Sequence, residues 1–146
     1  MATPYESSDL ILRLYDLRRE AKLREARDWY SLQFHPSSAQ EAMEAAHGEH
    51  GAKVRMVLSY WDMAASLVVH GAISPEMFHD TQGEALSAFA KVEPLLDDMR
   101  ELVGSPDFLK NLQSVTNEWP GAAERMAHLR EMLREAGAAQ EAAHEG

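Results

Sequence analysis

The sequence predicts an all-α, single-domain bundle of about five helices, built around a central helix that is apolar on almost every side. Three observations carry this. Ala, Leu, Glu, Met and Arg dominate while β-branched residues are sparse, and no alternating apolar/polar run bounded by turn residues offers a strand. Serine caps, proline starts and glycine stops recur along the chain at helix-length intervals. In residues 52–70, Val54, Val57, Leu58, Trp61, Ala64, Ala65 and Val68 make one apolar face and Met56, Tyr60, Met63 and Leu67 a second beside it. Only Arg55, Ser59, Asp62 and Ser66 remain as a narrow polar stripe, the pattern of a helix at the centre of its bundle.

The elements follow in order. The first helix is expected to start near Ser7 or Ser8, with Asp9 in its first turn, and to end at "HPSS", because the residue before a proline resists helical geometry. Its apolar residues form two stripes, one of Leu10, Ile11, Leu14, Leu17 and Ala21, the other of Leu12, Tyr15, Leu23, Ala26, Tyr30 and Phe34. "SAQE" at 38–41 is a capping box that opens the second helix. "HGEHG" at 47–51 predicts a break, since each helical glycine costs about 1 kcal/mol. After the central helix and Gly71, "SPEM" at 74–77 starts another helix, which "DTQG" at 80–83 interrupts. Ala85, Phe89, Val92, Leu96, Met99 and Val103 then mark a buried face, kinked at Pro94. "GSPD" at 104–107 repeats the stop, cap and start signals for a helix bearing Phe108, Leu112, Val115 and Trp119. "WPG" turns the chain into a last helix, with Ala122, Met126, Leu129 and Leu133 facing inward. The domain is thus expected to span 5–137, with 138–146 a disordered tail that has little to pack.

A chain of 146 residues buries roughly 70% of its unfolded surface in one core. There are no cysteines, which excludes disulfides and thiolate chemistry. Net charge is −10, divided as −2 in residues 1–75 and −8 in residues 76–146. Six of the 14 basic residues crowd into 13–27, but Asp16, Glu20 and Glu25 interleave with them, so a nucleic-acid partner is not expected. The longest apolar run, "MAASLVV" at 63–69, is too short to span a bilayer, and "MATPYESSDL" lacks the features of a secretory signal. The chain reads as soluble and cytoplasmic.

Chemistry is sparsely signalled. Glu-x-x-His recurs at Glu44–His47, Glu76–His79 and Glu141–His144, and residues three apart share a helix face. Carboxylate-bridged metal bundles use that device, and His50 would add a third imidazole for Zn or Fe. With 16 Glu and seven His, one such pair arises by chance, so "HGEHG" reads first as a corner and no cofactor is expected. Asp62, with Arg55 and Trp61 nearby, marks either a small-molecule pocket or a buried ion pair that fixes helix register. His70 reads as a helix C-terminal cation. Met56, Met63, Met77 and Met99 either line an adaptable groove or fill the core. No phosphate loop, nucleophile elbow, H-E-x-x-H or dinucleotide fingerprint is present.

The stretches "YESSDLILRLYDLRREAKLREARDWY", "MVLSYWDMAASLVVHGAISPEMFHD" and "FAKVEPLLDDMRELVGSPDFLKNL" resemble a family of small, helical, bacterial proteins classed as a domain of unknown function, with relatives among soil acidobacteria. The resemblance spans residues 5–115 and implies a helical fold, with no activity, ligand or catalytic residue to carry over. Many members of the broader group carry an amino-terminal membrane anchor; this sequence shows none, so a membrane-associated role is not expected. The expected role is a non-enzymatic interaction module, a homo-oligomer or a binder of another protein, with Trp29, Tyr30, Trp61 and Trp119 as the residue types that anchor interfaces. The rivals are a metal-dependent bundle enzyme using Glu44, His47, His50, Glu76 and His79, and a small-molecule binder beside Trp61 and Asp62.

Overall fold

The computed structural model describes residues 2–145. Those residues form nine α-helices and no strand: α1 Pro4–Arg18, α2 Ala21–Gln33, α3 Ala39–His47, α4 Gly51–Val69, α5 Pro75–Thr81, α6 Gly83–Ala90, α7 Leu96–Val103, α8 Lys110–Asn117 and α9 Ala122–Glu145, with a 3-10 turn at Glu93–Leu95. The all-helical reading holds, and the count of about five does not. The extra helices arise where single breaks divide what looked continuous.

The first break explains the two stripes of the opening segment. The helix starts at Pro4 on a capping box of Thr3 and Glu6, ahead of the expected serines. Ser7 is instead buried, its hydroxyl accepting the Ser74 N–H (3.1 Å). At Glu20 the backbone turns extended, and the Glu20 carboxylate caps α2 by accepting the Leu23 N–H at 2.9 Å. Each stripe therefore belongs largely to its own helix. Pro94 likewise does more than kink its segment: α6 stops at Ala90 and α7 starts only after the 3-10 turn. "GSPD" delivers its stop, with Gly104 left-handed at φ +74°, but the next helix waits until Lys110. Residues 105–109 make a loop that carries Phe108 and Leu109, and Leu109 is itself left-handed at φ +58°.

The core gathers around α4, which packs against α2, α3, α6 and α8. Val57, Trp61 and Ala65 are at most 2% exposed, as a central helix requires. The second face is only partly covered. Tyr60 is buried, its hydroxyl donating to the Leu14 carbonyl (2.6 Å), whereas Met56 and Met63 face outward, 38% and 40% exposed.

Residues 138–145 continue α9 as helix. Gly137 is not a stop but a notch: a Cβ there would lie 1.9 Å from the Leu32 carbonyl oxygen, so only glycine lets α9 cross α2 this closely. Beyond it, Gln33 donates to the Gln140 side chain (2.8 Å).

Candidate functional site

Two places along α4 concentrate polar chemistry, on different sides of that helix. On the first, Lys91 follows α6 into the core and is only 5% exposed. Its ammonium donates to the Ser31 and Phe34 carbonyls (both 2.8 Å), the free C-terminal acceptors of α2, and lies 3.2 Å from His35 Nδ1. His35 Nε2–H in turn donates to the Leu32 carbonyl at 2.8 Å, which leaves Nδ1 as the acceptor for Lys91. Burial pushes the Lys91 ammonium down to about 7, with the charge of Arg134 adding to the effect. Burial also lowers His35, against the opposing pull of its bond to Leu32. The crevice beside Lys91, Tyr30 and Trp61 holds about 10 Å³, room for roughly one water. No substrate fits there.

On the other flank the bundle opens. Ala42, Met43 and Ala46 of α3, Val54 and Leu58 of α4, Met99 and Val103 of α7, and Phe108 and Leu109 of the following loop line a cleft of about 490 Å³. That volume is in the range of small-molecule sites, and the wall is almost wholly apolar. The charged residues and His47 stand at the ends, with Ser59 between them on α4. Arg55 and His47 flank the α3 end, and Asp62 and Asp107 the α7–α8 loop end.

Most of these polar groups also hold the frame. Asp62 reaches from α4 to accept the Leu112 N–H (3.0 Å) and the Asn111 side chain (3.4 Å). It thereby caps α8, whose own N-cap position, Leu109, offers no side-chain acceptor. Arg55 donates to the Ala46 carbonyl and so caps the end of α3. Gly51 makes this approach feasible, since a Cβ there would fall 2.4 Å from the Ala46 oxygen. Arg100 donates to the Phe108 carbonyl and the Gln113 side chain (both 2.9 Å), fixing the loop that closes the cleft.

The residues singled out from sequence distribute unevenly over this frame. Arg55 and Asp62 line the cleft, but Trp61 does not. Neighbours in a helix point about 100° apart, and Trp61 turns into the core under the Arg18 guanidinium. Tyr30 and Trp119 are also core residues, the Tyr30 hydroxyl donating to the Ala88 carbonyl at 2.6 Å. Trp29 is half-buried and stacks on His50, ring centres 4.6 Å apart. As interface anchors, Tyr30, Trp61 and Trp119 are spent on the chain's own interior.

The Glu-x-x-His residues stay apart. His47 Nδ1–H donates to the Met43 carbonyl (2.8 Å), and exposed Glu44 accepts from Gln40 (3.3 Å). His79 donates to the Val115 carbonyl (3.3 Å) and packs on Trp119, while Glu76 is exposed in the first turn of α5. Among the described residues no three His, Asp or Glu side chains are grouped to hold a metal ion.

Sequence reasoning missed the walls of the cleft. Met43, Ala46 and Leu109 carry no chemical signature, and of the four methionines proposed for a groove only Met99 lines it. Lys91 did have a signal, a lone cation inside the apolar run Phe89–Val92.

The model of a domain of unknown function, DUF4760, matches residues 5–119. The chain belongs to that family. The matched region runs from α1 through α8 and contains every residue of the cleft, while α9, whose Gly137 seats it on α2, lies beyond it. Neither curated proteins nor solved structures yield a match. No helix among the described residues is long and apolar enough to cross a membrane.

Proposed function

We propose that this DUF4760 protein is a non-enzymatic binding module that takes an apolar guest into the α3–α4–α7 cleft. One observation carries the reading: a cleft of about 490 Å³ lies between helices, walled mainly by apolar side chains and more enclosed than the open surface hollows of about 350–530 Å³ elsewhere. The nearest charged groups, Asp62 and Arg55, each cap a helix end, α8 and α3, a structural duty that suits recognition better than proton transfer. Fluorescence of N-phenylnaphthylamine, a neutral apolar probe, tests it. The probe is expected to bind saturably at about one per chain, and Ala46→Phe, which grows into the cleft from its α3 wall, to abolish binding while the variant still unfolds in one cooperative transition. Probe binding unchanged in Ala46→Phe would remove the cleft from consideration.

A second reading, self-association, is favoured by the outer face of α1. Tyr5, Leu12 and Tyr15 are 86%, 64% and 51% exposed, whereas Ser7, Ile11 and Leu14 of the same helix are buried. Light scattering is expected to show a dimer that Leu12→Glu returns to monomer.

A further inference from the structure

We infer that the guest of the cleft is an amphiphilic carboxylate, an aliphatic acid of medium chain length with its body among Val54, Leu58, Met99 and Phe108 and its head at Arg55 and His47. The inference rests on the binding reading above and adds the head group and its direction.

Donors and acceptors are unevenly shared between the two ends of the cleft. Arg55 has five N–H donors and commits one nitrogen to the Ala46 carbonyl; among the described residues it has no carboxylate partner. In a chain with 24 acidic and 14 basic side chains, a guanidinium left without an acid at the mouth of an apolar cleft is a surplus of donors. His47 stands beside it with Nδ1–H donating to the Met43 carbonyl, and its Nε2, which no described residue bonds, donates to a carboxylate when the ring is protonated. The far end has the opposite character. Both Asp62 oxygens are already used, on the Leu112 N–H and the Asn111 side chain, and exposed Asp107 adds a second negative charge. A carboxylate is therefore attracted at one end and repelled at the other, which fixes its direction. Arg55 and Asp62 are seven residues apart on α4, about 10 Å along the helix, so the span between the charged ends suits an extended aliphatic chain. Between the charged ends the walls offer that chain mainly apolar contact, with Ser59 the one polar side chain there and its hydroxyl already donating to the Met56 carbonyl.

Calorimetric titration of the intact protein with decanoate, decanol and decylammonium, each below its micelle-forming concentration, tests the assignment. Decanoate is expected to bind about three- to fivefold more tightly than decanol, the scale of a solvent-facing ion pair, and decylammonium more weakly than either. Octanoate is expected to bind about tenfold more weakly than decanoate, for two fewer buried methylenes. Arg55→Gln is expected to bring decanoate level with decanol. Because Arg55 also caps α3, the ratio of the two ligands within the same variant is the readout, and any general loosening of the cleft cancels. His47→Gln serves as the milder second variant, with a partial loss of the preference. If decylammonium binds best, or the decanoate-to-decanol ratio is unchanged in Arg55→Gln, the head-group assignment is overturned while apolar binding stands. If neither these ligands nor N-phenylnaphthylamine binds, the cleft reading falls as well.

Discussion

On the α2–α9 flank of the bundle, a buried lysine, a histidine and a glycine fill the space between helices; on the α3–α7 flank, apolar side chains line a cleft and leave it open. Both flanks lie against α4, and both contain helix ends whose backbone groups need partners. The first satisfies them from inside, with Lys91 on the α2 carbonyls. The second satisfies them from the rim, with Arg55 on α3 and Asp62 on α8. Capping from the rim keeps polar groups out of the space between the helices, and it is this difference that leaves room for a guest. A helix end can be satisfied either way; only one way leaves a site.

Substitutions on the closed flank should be the most costly. Trp61→Ala removes the largest fully buried side chain and is expected to destabilise by about 3–5 kcal/mol in chemical denaturation. Trp61→Phe should cost far less, about 1–2 kcal/mol, because the indole N–H is buried without a hydrogen-bond partner and its loss relieves that group. Equal losses in the two variants would mean that the indole N–H is bonded in solution, which would break the picture of a flank where the ring serves as packing.

Gly137→Ala should come next, at about 1–3 kcal/mol, since the added methyl meets the Leu32 carbonyl and α9 must lift. Hydrogen exchange would localise the effect: amides of 133–145 should exchange faster while those of α3 and α7 at the cleft keep their protection. Stability unchanged by the methyl would show that α9 is not seated on α2, and the contrast between flanks would shrink to Lys91 alone.

These two positions also show where the sequence was legible. Trp61 sits on a seven-residue apolar face, and such periodicity reports burial directly, so its place in the core could be read at once. Gly137 could not be read. A glycine after a helical run is ordinarily a stop, and only the distance to Leu32, on a helix more than a hundred positions away in sequence, reveals a notch. The same limit hid the cleft. Arg55 and Asp62 were picked out as the polar members of an apolar helix, but their use depends on where α3 and α8 end. The end of α3 falls where "HGEHG" predicts it, but the start of α8 was misplaced because "GSPD" signals a helix start that the loop 105–109 delays, with Leu109 left-handed and part of the cleft wall. Trp61 was paired with Asp62 by adjacency in the chain, which on a helix puts the two on different faces.

The Lys91 cluster gives the gentlest test, because it needs only a change of pH. In the unfolded chain a lysine keeps its proton up to its ordinary 10.5; in the folded protein burial lets it go near 7. Between those values the unfolded state binds more protons, so stability should rise as pH rises from 7, by at most about 1.4 kcal/mol per pH unit. His35 extends the trend downward: its pKa is lowered from 6.5, so the unfolded chain again takes up the proton first and stability should fall further as pH drops through that value. Above about pH 10 the sign reverses, since Tyr30 and Tyr60 are held neutral by burial and ionise first in the unfolded chain. Melting temperature should therefore climb between pH 7 and about 9.5, and Lys91→Met should flatten that climb while leaving N-phenylnaphthylamine binding on the other flank unchanged. If the slope survives in Lys91→Met, the proton uptake belongs to another group. If probe binding changes with it, the two flanks are not independent, and α4 transmits between them.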